Sequence, residues 1–378
     1  MTERIGILGG GIGGLACALA LARRGIVAEV FERAPEIGDV GAGVQISPNG
    51  AAVLRALDLG PAFEAAGVES RAVVVRDGLV DRDLIRMPLS GGAFRMLHRA
   101  DLIAILADAA RAAGVEIRTN HAAREALADG RPCLRFEDGT EETFDMLVGA
   151  DGIHSVLRPA LGNREVAFFT GQVAWRALVP GDAPAEARVE TGPGRHLVHY
   201  PVRPGVVNLV AVEERTDWAE EGWHIPGDPD ALRAAFAGFA RPVRALLDRV
   251  EGVHLWGLFR HPVAARWQDG ASALLGDAAH PTLPFLAQGA NLALEDAWCL
   301  AAALAAPDRM AGLARYEAAR KPRVGRAIAA AEANARNYHL DGPRRRAAHM
   351  ALRLAGRVAP GAMLRRYDWL YGCDVTQP

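Results

Sequence analysis

Lysine is almost missing from this chain: among 43 basic residues only Lys321 is a lysine, and the rest are arginine. We read that skew as a genomic codon bias rather than a binding device. With 45 acidic residues the net charge is −2, which excludes the basic excess of a general nucleic-acid binder. Cysteine is scarce too. Cys17, Cys133, Cys299 and Cys373 form no CxxC pair, so neither a disulfide framework nor a metal site is implied, and a reducing cytosol suits them. Cys17 and Cys299 fall in apolar helical patterns and are expected as buried, inert thiols. No apolar run approaches the roughly 20 residues that span a bilayer. Glycines within residues 9–14 would break a signal helix over 5–22, so a cytoplasmic protein with no membrane and no nucleic-acid partner is expected. The chain is half hydrophobic and 23% charged, which excludes disorder.

What the chain has in plenty is glycine, 41 residues without the three-residue period of collagen. Their positions matter more than their number. A strand over 4–8, a glycine turn over 9–14, a helix over 15–24 closed by Gly25 and a strand over 27–32 make a βαβ unit, and hence a parallel sheet. A second glycine-rich loop spans 38–43, followed by a helix at 49–57 and a strand at 71–76. A helix is expected at 101–113 with Asp101 as its cap, and Asp138-Gly139 signals a hairpin between 134–136 and 142–147. From 166 to 259 the pattern becomes strand-rich, with strands at 172–179, 197–202, 206–213 and 254–259 and one helix at 230–250. That stretch reads as a sheet domain inserted into the first. A strand at 272–275 returns to the first domain, and helices follow at 288–305, 310–337 and 344–356. The fold class is therefore α/β, or α+β in the two-domain sense: a Rossmann-like βαβ domain, an inserted β-sheet domain and C-terminal helices.

Three motifs carry chemistry. The first is Gly9-x-Gly11-x-x-Gly14 with Glu32 at the end of the second strand. Such glycines let a pyrophosphate approach a helix N-terminus, and the acid can bind a ribose hydroxyl. Alone it does not separate NAD from FAD. The second runs from Met146 through the Asp151-Gly152 turn to Arg158. The third is Gly276-Asp277-Ala278-Ala279-His280-Pro281, followed by Pro284, Gln288-Gly289-Ala290-Asn291 and Glu295-Asp296.

In this order the motifs resemble the GxGxxG, DG and GD fingerprints of the FAD-dependent aromatic-ring hydroxylases, the class A flavoprotein monooxygenases. Gly41-Ala42-Gly43-Val44-Gln45 and His98-Arg99-Ala100-Asp101-Leu102 match as well, and the resemblance covers nearly the whole chain. It is nearest to the salicylate, 3-hydroxybenzoate and 6-hydroxynicotinate branch. The resemblance implies FAD as cofactor, NADH or NADPH as co-substrate without a domain of its own, and O₂. Oxygen would pass from a flavin C4a-hydroperoxide to a small phenolic or hydroxy-heteroaromatic acid. An FAD domain is expected over 1–70, 98–165 and 265–330, a substrate domain over 71–97 and 166–264, and a helical region over 331–378, in a monomer or homodimer.

The resemblance also distributes roles. Gly9, Gly11, Gly13 and Gly14 would hold the pyrophosphate, with Glu32 and Arg33 on the nucleotide side. Gly43 and Val44 would border the flavin. Arg99 would hold ribityl or pyrophosphate, or lie on the surface. Asp151 would bridge to the nucleotide or merely shape its turn. Asp277 would bind ribityl hydroxyls, with a turn or cap aspartate as the alternative. The N–H groups of Gly289, Ala290 and Asn291 would face the flavin pyrimidine edge and favour its reduced, anionic form. His280 would support the turn rather than move a proton.

For the substrate, strand alternation places His196, Val198 and Tyr200 on one face. His196 would be the phenol partner, with Tyr200 beside it and Pro284 on the loop as the third catalytic candidate; a structural histidine is the alternative. Gln45 and Phe285 are candidate substrate contacts. Phe285 departs from relatives that carry His there, which leaves the substrate open. Arg176 would meet a substrate carboxylate or make a surface ion pair. The arginines at 344–346 and 365–366 read as a solvated face, or as an oligomer or acidic-partner contact. Two alternatives stand beside aromatic-acid hydroxylation: the same chemistry on a polyketide, quinone precursor or alkaloid, and a non-turnover flavin redox sensor.

Overall fold

A strand made wholly of apolar residues must be covered on both faces, and Ile5–Leu8 is buried along its whole length. In the computed structural model, which describes residues 3–38, 43–89, 94–128, 130–215, 217 and 225–377, this strand is the centre of a five-stranded parallel sheet. Its order is Ser272–Leu274, Met146–Gly149, Ile5–Leu8, Ala28–Phe31 and Glu116–Arg118. Gly41-Ala42 of the second glycine-rich loop lies outside the described residues. The first helix begins at Ile12 rather than at 15, so Gly13 and Gly14 lie inside it. Its buried face of Leu15, Ala16, Leu19 and Ala20 packs against Gly289–Leu304 and Arg99–Ala112. Cys17 is buried there, and burial pushes its thiol up to about 12, as an inert thiol requires; Cys299 is only partly buried.

The second large element is an eight-stranded sheet ordered Pro226–Gly227, Val253–Arg260, Phe168–Pro180, Val206–Glu214, Arg195–Arg203, Ala187–Gly192, Ala72–Asp77 and Arg82–Pro88. Alternation sends Trp175, Leu197, Leu209 and Ala211 to one face, against two short helices, Pro229–Ala235 and Arg241–Leu247. The single helix expected over 230–250 is thus two. Pro242 sits in the first turn of the second one, where its missing N–H costs nothing. The opposite face, with Ala174, Val210, Val212, Trp256 and Leu258, turns toward Phe285 and the helix Arg309–Tyr338.

Other expectations shift locally. The hairpin is Cys133–Phe136 with Glu141–Thr143, while Met146–Gly149 leaves it to join the parallel sheet. Phe144, buried under Gly6, marks the crossing point. Asp101 is not the cap of its helix. Arg99–Ala112 starts two residues earlier, capped by His98, whose ring accepts from Ala100 N, and Asp101 pairs with Arg203 instead. Strands Ala187–Gly192 and Arg82–Pro88 were not expected, because Arg188, Glu190, Arg82, Asp83 and Arg86 interrupt their apolar pattern. A small sheet of Gly43–Ile46, Arg95–His98 and Val68–Glu69 lies between the two large ones, and Gly43 N donates to Asn208 Oδ1 at 2.7 Å. The helix Gly342–Val358 packs on the edge strand Arg82–Pro88, with Arg345 and His349 meeting Asp77. Among the described residues no helix is long and apolar enough to cross a membrane.

Candidate active site

The N-terminal cradle is made of backbone. Gly9 has φ +109°, and its N–H donates to Phe31 O at 2.8 Å, which carries the chain straight from strand into helix. A Cβ on Gly14 would stand 2.0 Å from Gly9 O, so helix and strand meet at a distance only glycine permits. Beside Gly11 a Cβ would meet nothing within 4 Å; the close packing stops there and space opens. The helix Ile12–Ala22 has no side-chain cap and no acid in its first turn, which leaves its positive end to an anion. Glu32 lies at the rim of this space, held by Gly10 N at 2.7 Å and Ala34 N at 2.9 Å. Arg33 beside it is exposed.

A second cradle lies at the return strand. Burial pushes the Asp277 carboxyl up, while the charges of His280, Arg99 and His261 draw it back. The helix Gly289–Leu304 again starts without a side-chain cap or an early acid. Asn291, fully buried, accepts from Ser47 N at 2.9 Å and donates to Gln45 O and Ala287 O at 3.0 and 2.9 Å. Its side chain is therefore consumed in joining the strand Gly43–Ile46 to the helix start, and only the backbone at 289–291 is left for a ligand. The Gly43 N–H is likewise taken up by Asn208, while Val44 pairs with Leu97. Asp151 accepts from Val156 N at 2.8 Å and so shapes its turn; its other oxygen is buried without a protein hydrogen bond.

Behind these loops runs a buried polar network that the motifs only hinted at. His280 is completely buried, bonded through Nε2 to Asp296 and stacked on Trp267 at 5.2 Å. Asp296 also accepts from Gly276 N at 3.0 Å and Arg320 Nε at 2.7 Å. Burial would raise this carboxyl, but His280 and Arg320 outweigh it and hold it at about 2. Glu295 is clasped by Arg320 and Arg323 and accepts from Asn49 Nδ2 at 2.6 Å. His280 is thus a turn support, committed to Asp296.

On the inner face of the eight-stranded sheet, His196 is 2% exposed, and burial pushes its imidazole well below its usual 6.5. The Phe285 ring lies 5.7 Å from it, on the turn Pro284–Leu286. Four residues along the strand, Tyr200 is buried beside Gly43 and Asn208. Burial pushes its phenol up to about 12, with Arg176 opposing. Arg176 is half-buried and lies over the Trp256 ring, 5.0 Å from its centroid, on this same face. The structure therefore brings His196 together with Phe285, and Tyr200 with Arg176 and with the strand Gly43–Ile46 that carries Gln45. Sequence reasoning missed Asn208, His339 and Glu214. A lone asparagine in Val-Val-Asn-Leu-Val was a usable signal for the first; His339, 143 residues from its partner His196, gave none.

Residues 2–331 match the model of the FAD binding domain family, and the chain belongs to that family, the FAD-dependent monooxygenases that hydroxylate aromatic rings. It is 39% identical to a 3-amino-4-hydroxybenzoate 2-monooxygenase of Streptomyces platensis, over 99% of this chain and 96% of that one. It is 33% identical to 3-hydroxybenzoate 6-hydroxylase 1 of Aquipseudomonas alcaligenes, over 100% and 99% of the two chains. The solved structure of Klebsiella pneumoniae HpxO with FAD and uric acid overlays it with a TM-score of 0.83 at 28% identity, covering 94% of each chain.

Proposed function

We infer that this protein hydroxylates a small phenolic or hydroxy-heteroaromatic acid at the expense of NADH or NADPH and O₂. The observation that carries this reading is one buried sheet face. It presents a neutral histidine, His196, beside the turn that continues into the uncapped helix start at Gly289, and a neutral tyrosine, Tyr200, beside the strand Gly43–Ile46. The substrates named for the relatives, 3-hydroxybenzoate and 3-amino-4-hydroxybenzoate, each pair a ring hydroxyl with a carboxylate.

The cradles fit FAD. The open space at Gly11 and the two uncapped helix starts suit a pyrophosphate and an anionic ring, Glu32 suits a ribose, and Asp277 with Arg99 suits the ribityl chain. When bound, FAD would supply the redox chemistry between the nicotinamide and O₂. The chain's own residues handle the substrate. His196, kept neutral by burial, takes the phenol proton, because a phenolate is the better nucleophile. Tyr200, also neutral, donates to the substrate, and Arg176 offers a cation to its carboxylate. Phe285, 6% exposed, lies beside His196 and helps keep water from it. On this reading 1–70, 98–165 and 265–330 form the FAD domain and 71–97 with 166–264 the substrate domain, in a cytoplasmic monomer or homodimer.

The test is nicotinamide oxidation by FAD-loaded protein against a panel of hydroxybenzoates and hydroxynicotinates. Stimulated oxidation with stoichiometric hydroxylated product is expected. Absence of stimulation by every aromatic acid overturns the reading and favours a redox sensor.

A further inference from the structure

Two ionisable groups that no motif contains form a line leading away from His196. Its Nδ1 lies 2.7 Å from His339 Nε2, and His339 Nδ1 lies 2.8 Å from Glu214 Oε1. His196 and His339 are 2% and 8% exposed, whereas the Glu214 side chain is 55% exposed. The line thus runs from the buried sheet face to the surface.

Its hydrogen bonds have only one consistent direction. An ionised carboxylate only accepts, so His339 turns Nδ1–H toward Glu214. In a neutral His339 this leaves a lone pair on Nε2, which accepts Nδ1–H from His196. His196 is thereby fixed with Nε2 bare. Burial lowers both imidazoles and keeps them neutral, as the arrangement needs. The other groups packed here are Arg195 on the same strand, which adds to the lowering of His339, Gln172 at 3.4 Å on the strand paired with that of Glu214, and the rings of Tyr338 and Phe285.

We propose that His339 and Glu214 are positioning residues that hold His196 in its proton-accepting tautomer and conduct the substrate's phenol proton to solvent. This rests on the hydroxylase reading above. The balance is one proton and no electrons. The phenol O–H breaks as its proton bonds to His196 Nε2. The Nδ1 proton of His196 passes to His339 Nε2, and the Nδ1 proton of His339 passes to Glu214 Oε1 and on to water. Both rings end in the opposite tautomer, and reprotonation of the product phenolate along the same line in reverse restores them.

Two measurements test this, the first without substrate. In ¹⁵N-histidine NMR of the FAD-loaded protein, the resonances lost in His196→Gln identify that ring. They should show Nδ1–H with bare Nε2, and a tautomer mixture in His339→Phe. The opposite tautomer in the unaltered protein, or no change in His339→Phe, overturns the proposal. The second uses 3-hydroxybenzoate as probe and the exposed-residue variant Glu214→Gln, which tests the line without disturbing the core. The pH at which the bound phenol ionises should rise by about one unit and kcat fall about tenfold, with KM within about threefold. An unchanged ionisation midpoint and kcat in an enzyme that hydroxylates the probe overturns the relay. If no aromatic acid of the panel is hydroxylated, the functional reading falls, and the NMR result alone upholds or overturns the tautomer line.

Discussion

At Gly9–Gly14 and again at Gly289 the site is made of backbone: a left-handed glycine, a helix packed within 2.0 Å of a would-be Cβ, and two helix starts without caps. On the face of Arg195–Arg203 it is made of side chains drawn from distant segments, with His196 meeting Phe285, Tyr338 and His339, and Tyr200 meeting Gly43 and Asn208. The two regions fail differently. A backbone cradle tolerates no added atom but is indifferent to most exposed side chains. A side-chain face tolerates substitution as a fold and loses chemistry with a single group. The first prediction follows from the first property. Gly14→Ala would press its Cβ on Gly9 O, a backbone atom that cannot step aside. FAD content, read as the ratio of flavin to protein absorbance, should fall by about 5- to 150-fold, as overpacking of about 1–3 kcal/mol implies. Full flavin retention would mean that the strand and helix can part and that the cradle is softer than drawn.

The complementary change is His196→Gln. It removes the neutral base from the sheet face and leaves both helix starts untouched. We expect kcat on the preferred phenolic acid to fall by about 10²–10⁴, the usual range for a lost general base, with FAD content unchanged. Loss of flavin in this variant would show that the two regions are mechanically one.

The same contrast explains what could be read in advance. A backbone cradle is local, so Gly9-x-Gly11-x-x-Gly14 with Glu32, and Gly276-Asp277 through Asn291, carry it in contiguous residues, and the βαβ order and parallel sheet follow from them. The alternation that pairs His196 with Tyr200 is local too. The rest of that face is not. Whether Arg176 reaches Trp256 or solvent depends on the strand Val253–Arg260, some eighty residues on. That His339 ends its helix beside His196 depends on the length of Arg309–Tyr338. Asp101 was misread as a cap for a related reason. Its partner Arg203 comes from the inserted sheet, and a histidine ring took the cap.

Between the two regions lies the buried network of His280, Asp296, Arg320 and Glu295, whose side chains are committed to one another. Arg320→Met should therefore test stability alone. Removing one partner of a buried charge pair costs about 3–5 kcal/mol, read as a lower urea midpoint with the substrate KM unchanged. The sign of the acid response follows from Asp296. Its folded value, depressed from 3.8 to about 2, gives stability that is present above about pH 4 and lost as the pH falls through that window. In Arg320→Met the depression shrinks, so acid unfolding followed by flavin release should begin at higher pH. An unchanged acid transition would show that His280 alone holds the carboxylate down.

The smallest effect is expected at Tyr200, and it separates donation from proton transfer on the sheet face. Burial pushes the Tyr200 phenol up to about 12, so across the working pH range it stays protonated and serves only as a donor. Tyr200→Phe removes one neutral hydrogen bond and keeps the ring against Gly43 and Asn208. Such a bond is worth about 0.5–1.5 kcal/mol, so KM for the aromatic acid should rise about three- to tenfold. Because no titrating group is lost, the pH dependence of kcat/KM should keep its shape and simply move down. A displaced acid or basic limb would show that Tyr200 takes part in the proton movement assigned to His196, and the comparison between the two residues would have to be reversed.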